Sequence, residues 1–141
     1  MSGPSRPLTV LMTATDVAFL LYWAVSGLDA AGVLHLPAGW MYAHHDDPRV
    51  VAWNWSFLPV DLGFSLTGLF ATTLARRGDA LWRPLAIVSL TLTVTAGGMA
   101  VAYWALTGEI DPVWFGSNLL LVLWPVPFLV GLVRTSGSPP A

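Results

Sequence analysis

The chain has 141 residues, of which 55% are hydrophobic and only 10% charged, and its formal net charge is -2. Soluble domains carry charge on about a quarter of their residues, so lipid must face much of this exterior. The small net charge and scattered basic residues exclude a nucleic-acid partner. With no cysteine, a disulfide scaffold, a thiol redox enzyme and a thiolate metal site are excluded as well.

A membrane span needs about 20 mostly apolar residues, because hydrocarbon is ~30 Å thick and a helix rises 1.5 Å per residue. Four stretches qualify, and none alternates as a barrel strand would. The first, 8–28, follows Arg6. It differs from a signal peptide in the length of its apolar run and in the interruption by Asp16. The loop after it carries His35, His44, His45, Asp46 and Asp47. Adjacent residues point in different directions and no H-x-x-x-H spacing occurs, so this loop reads as solvated and no metal site is expected.

The second span, 50–75, is entered through Asp47-Pro48. Asp accepts hydrogen bonds at a helix N-cap, and Pro suits the first helical position, where its missing N–H is not needed. Within this span Asn54, Asp61, Ser65, Gly68 and Thr72 follow at steps of seven, four, three and four, one polar stripe on a helix. Pro59 deprives the carbonyl of Trp55 of its donor and predicts a kink above Asp61. The third span, 81–106, contains Gly97-Gly98, where a neighbour or ligand can approach closely, and the fourth, 113–133, is entered through Asp111-Pro112. Residues 1–7 and 136–141, rich in Pro, Ser and Gly, are expected to be loose tails.

Basic residues concentrate in cytoplasmic loops. Arg6, Arg76, Arg77, Arg83 and Arg134 share one side of a four-span arrangement, and Arg49 lies opposite. The fold expected is therefore an all-α membrane protein: a single four-transmembrane-helix bundle with N and C termini cytoplasmic, in the cell membrane.

The chain echoes itself. Tyr22-Trp23-Ala24-Val25-Ser26-Gly27 matches Tyr103-Trp104-Ala105-Leu106-Thr107-Gly108, and Asn54 and Asn118 each lie seven residues after the Asp of an Asp-Pro pair. Two tandem helical hairpins, related by an axis along the membrane normal, account for both matches. Registered on Tyr22 and Tyr103, Asp16 corresponds to Gly97; registered on Pro59-Val60-Asp61 and Pro125-Val126-Pro127, which shifts the Asp-Pro match by one or two residues, Asp61 corresponds to Pro127, so both carboxylates belong to the first half.

Asp61 and Asp16 are the candidate catalytic residues. They lie near the middle of their spans and so at similar depth. An ionised Asp there costs ~2.5–3.5 kcal/mol on insertion scales, and such residues face the bundle interior. Each either carries function or locks the bundle through a nearby hydroxyl or carbonyl. The candidate ligand-binding residues are Trp23 and Trp104, whose rings suit a flat lipophile or a cation, with Asn54, Ser65 and Asn118 as polar contacts. Asn in a membrane core also serves as helix glue, and most of the eight tryptophans suit interfacial anchoring.

The stretch Val51-Ala52-Trp53-Asn54-Trp55-Ser56-Phe57-Leu58-Pro59-Val60-Asp61-Leu62, with Thr67-Gly68-Leu69 after it, resembles the YvaD-like family of small bacterial membrane proteins. The later Tyr103-Trp104 and Asp111-Pro112 segments fit the same family. The resemblance implies four spans and a bacterial membrane; the family is functionally uncharacterised, and no activity follows from it.

Three function classes stay open. The first is a binding or accessory protein whose bundle holds a lipophilic small molecule or partner helix. The second is an isomerase or terpene-cyclase-like enzyme using a protonated Asp as general acid. The third is a proton-coupled exporter, which resembles the small multidrug-resistance proteins in size, span count and a first-span carboxylate, although those carry Glu. The partners expected are the lipid bilayer, a lipophilic small molecule and further copies in a homo-oligomer. No cofactor is called for.

Overall fold

Proline and aspartate decide where the helices start and break. The computed structural model describes residues 3–136 and is helical throughout its regular structure. Helix α1 covers Arg6–Ala30, with Pro7 in its first turn, where a missing N–H costs nothing. Arg6 and Pro7 are therefore helical rather than tail, and Ser136 belongs to the last helix. Of the expected tails, residues 1–2 and 137–141 lie outside the described residues.

After a loop containing a short 3-10 turn at Ala38–Trp40, α2 covers Pro48–Trp55 and α3 covers Leu58–Arg76. Helix α4 covers Trp82–Thr107 and ends at Gly108, whose φ of 75° is the left-handed conformation that glycine adopts freely. Then come α5 at Pro112–Leu123 and α6 at Pro125–Ser136. Counting α2–α3 and α5–α6 as continuous, four segments are long and apolar enough to cross a membrane: Arg6–Ala30, Pro48–Arg76, Trp82–Thr107 and Pro112–Arg134.

Both Asp-Pro pairs cap as their chemistry requires. Asp47 accepts from the Arg49 N–H at 2.8 Å, and Asp111 accepts from the N–H groups of Val113 and Trp114 at 2.8 and 2.9 Å. Their backbones match, at φ -79°, ψ 119° and φ -76°, ψ 119°.

The kink expected at Pro59 is a full break. The helix stops at Trp55, and the Phe57 N–H turns to the Asn54 carbonyl at 3.1 Å. Asn54 and Asp61 thus lie on two helices, not on one continuous stripe. A second break, at Trp124, separates α5 from α6. Pro125 and Pro127 supply no N–H to the carbonyls of Leu121 and Leu123, a signal present in the sequence and not read from it.

Helices α3 and α4 pack on each other at the centre, with α1 on α3 and α5 and α6 on α4. At the end where α1 begins and α6 ends the core is largely aliphatic, built from Leu8, Met12, Ala71, Leu74, Ala86, Leu90 and Leu132 around Trp82. At the other end it is aromatic, around Trp23, Phe57, Phe64 and Trp104. Exposed hydroxyls fold back on their own helices: Thr73, Thr91 and Thr95 each donate to the carbonyl four residues earlier. That satisfies the hydroxyls without water.

Candidate functional site

Helices α1 and α3 run antiparallel, and three contacts fix their register. Trp23 faces Asp61, Phe19 packs edge-on against Phe64 with centroids 4.9 Å apart, and Asp16 faces Gly68. Asp61 is therefore two helical turns, ~10 Å, from the level of Asp16. The expectation of similar depth is corrected: centring each span by length ignored the stagger between the two helices.

The two carboxyls have different surroundings. The Trp23 Nε1–H donates to Asp61 Oδ2 at 2.9 Å, and Asp61 is 3% exposed with its Oδ1 unpartnered. Asp61 lies in the first turn of α3, so the backbone dipole end raised by the Pro59 break lies beside it. Asp16, 2% exposed, is pressed between α1, α3 and α4. A Cβ built on Gly68 would collide with Asp16 Oδ2 and come 2.8 Å from Ser89 Oγ. Ser89 itself donates to the Phe64 carbonyl at 2.9 Å, and Asp16 Oδ2 is unpartnered.

A cavity of about 450 Å³ opens above this packing, between α1, α2, the start of α3, α4 and α5. Asp61, Trp23, Asn54, Trp104 and Asn118 all line it, one from each of five helices. Asp16 and Ser65 do not line it; Ser65 is fully buried with its Oγ unpartnered. The two asparagines do different work. Asn54 Oδ1 accepts from the Tyr22 hydroxyl at 3.1 Å, whereas Asn118 Nδ2 donates to the Trp114 carbonyl at 2.7 Å, back along its own helix.

The remaining aromatic wall escaped the sequence reading. Trp53 and Trp114, expected as interfacial anchors, line the cavity, as do Tyr22, Phe57 and the loop residue Tyr42. Trp53 stacks on Tyr103 at 3.9 Å and meets Trp104 edge-on at 5.5 Å. Tyr42 folds in against Trp114 with centroids 6.0 Å apart, and burial pushes its phenol above the usual range, with Tyr22 adding to the rise. No periodicity marks a loop residue, so Tyr42 gave no signal.

The mouth of the cavity is lateral. Ala14 and Ala18 of α1, and Ser117 and Leu120 of α5, line it and are exposed on the flank of the bundle. A second cavity of about 420 Å³ lies toward the 31–47 loop, and Tyr22, Tyr42, Asn54 and Trp114 form walls of both.

The histidine loop holds no metal cluster among the described residues. His44 instead pairs with Glu109 at 2.9 Å across the two loops of this end. Both side chains are about half exposed, and such pairs contribute at most ~1 kcal/mol.

No solved structure matches the chain significantly. It is 37% identical over 129 residues to "Uncharacterized protein YvaD" of Bacillus subtilis (strain 168), covering 92% of this chain and 93% of that protein. A family profile described as "Family of unknown function (DUF5360)" matches residues 8–138, and the chain belongs to that family.

Proposed function

We propose that this is a polytopic protein of the bacterial cell membrane that holds a lipophilic small molecule in the cavity between its first and fourth spans. The observation that carries the reading is the cavity itself: aromatic walls, a few convergent polar groups, and a mouth on the flank of the bundle at mid-helix. Its volume falls in the range of small-molecule sites, ~300–1,000 Å³. A flank opening at that height faces acyl chains rather than water once the helices span a bilayer. The ligand then arrives by lateral diffusion in the membrane.

The test is photolabelling in nanodiscs with a diazirine-bearing fatty alcohol, followed by mapping of the adducts. Enrichment at Ala18 and Ser117 over lipid-facing Leu21, Leu66 and Phe70 is expected. Even labelling of all exposed apolar positions would exclude a specific site.

The shared wall of the two cavities favours a second reading, export, in which the ligand leaves through the loop-side cavity. Under it, Tyr22→Phe, which breaks the Tyr22–Asn54 bond, changes efflux of a lipophilic dye from loaded proteoliposomes. Identical efflux with and without protein removes this reading.

A further inference from the structure

The cavity wall contains one carboxylic acid and no basic residue. Asp61 is the sole Asp, Glu, Lys, Arg or His among the described residues lining the cavity. No ion pair reaches it: the ion pair among the described residues joins His44 to Glu109, at the loop end. Trp23 satisfies Oδ2, and Oδ1 has no donor despite being buried. A buried carboxylate oxygen without a donor is costly, and structures rarely leave one so.

The wall presents Trp23, Trp53, Phe57 and Trp104, whose ring faces carry the negative end of a quadrupole. Asn54 Oδ1 already accepts from Tyr22, and Asn118 Nδ2 is committed to its own helix. Asn54 Nδ2 remains a neutral donor, but no charged donor lines the wall to offset the charge of an anionic ligand. A carboxylate and ring faces, with no cation, repel an anion, and a neutral hydroxyl would donate to the open oxygen without offsetting its charge.

We infer that the ligand is a lipophilic ammonium ion, its N–H donating to Asp61 Oδ1 and its charge held among the indole and phenyl faces. This rests on the cavity being a lipophile site and adds the charge of the ligand. The bond to Oδ1 is the charge-assisted kind, which is stronger than a neutral one. The hydrocarbon part of the ligand extends toward the mouth at Ala18 and Ser117.

The probes are n-decylammonium and n-decanol, of equal chain length and differing in charge. They are titrated calorimetrically into protein-loaded and empty nanodiscs at about pH 8, where an alkylammonium is protonated. The full chain is expected to bind decylammonium at least about tenfold more tightly than decanol. Asp61→Asn, which still accepts from Trp23, is expected to abolish that preference. Equal binding of the two probes by the wild-type protein overturns the charge assignment but leaves the lipophile site standing. Binding of neither overturns both. A preference that survives in a folded Asp61→Asn protein places the charge contact elsewhere and overturns this site. The wild-type comparison needs no variant, so the outcome does not depend on how well the variant folds.

Discussion

At the scale of the residue, the Trp23–Asp61 hydrogen bond joins α1 to α3 in an apolar setting. Trp23→Phe leaves both carboxyl oxygens without a donor, and a buried unsatisfied group costs ~1–3 kcal/mol. A lower melting temperature in detergent is expected. Asp61→Asn keeps an acceptor for the indole and should melt within ~1 kcal/mol of the parent. If the Asn variant unfolds as readily as Trp23→Phe, the bond is not what holds these helices in register. Asp61 and Trp23 were legible from sequence because a carboxylate deep in an apolar run has few tolerable positions, and all of them face inward. Ser65 was not. Its spacing put it on the buried face correctly, but a buried face has parts that open to a cavity and parts that do not. Only the stagger of α1 against α3 separates them.

At the scale of the element, the two neighbouring glycines of α4 make opposite predictions. A Cβ on Gly97 would lie 2.7 Å from the Asn118 carbonyl oxygen and 2.8 Å from Leu121 Cβ, on backbone and side-chain root that cannot yield locally. A Cβ on Gly98 would meet nothing within 4 Å. Gly97→Ala should therefore push α5 from α4 and cost ~1–3 kcal/mol, as overpacking does. Gly98→Ala should be neutral or raise stability by up to ~1 kcal/mol, since alanine restricts the unfolded chain and suits a helix. Thermal melts of the two variants side by side decide it; equal losses would mean the close approach is not there in solution. The Gly-Gly pair read from sequence as a place of close approach, but which glycine serves depends on helix rotation, which composition does not encode. The Asp-Pro caps were fully legible because a cap is a local structure whose chemistry lies within three residues.

At the scale of the whole molecule, Arg6, Arg76, Arg77, Arg83 and Arg134 stand at one end of the helices, and the 31–47 loop stands at the other. The positive-inside rule predicts from this that the arginine end faces the cytoplasm. The chain has no cysteine, so single cysteines report without background. An impermeant thiol reagent should label Val33→Cys, on the exposed loop, in intact cells and should spare Ala80→Cys until the cells are opened. Labelling of Ala80→Cys alone in intact cells would invert the orientation. The count and approximate limits of the long helices were legible because each is an apolar run of span length bounded by polar or turn-forming residues. The cavity was not, because it depends on α1 and the fourth segment packing on different central helices. The proline breaks carry a further consequence for motion. They separate α2 and α5, which line the cavity, from α3 and α6, which fill the aliphatic core with Ala71, Leu74 and Leu132. Helix α5 is held to α4 by the close approach at Gly97, so α2 is the short lever, hinged at one end on α3. Opening the cavity needs only that lever to tilt, with the aliphatic half undisturbed. Amide hydrogens of α2 should accordingly exchange with deuterium well before those of α3 and α4, and a ligand that fills the cavity should slow the first set and leave the second unchanged.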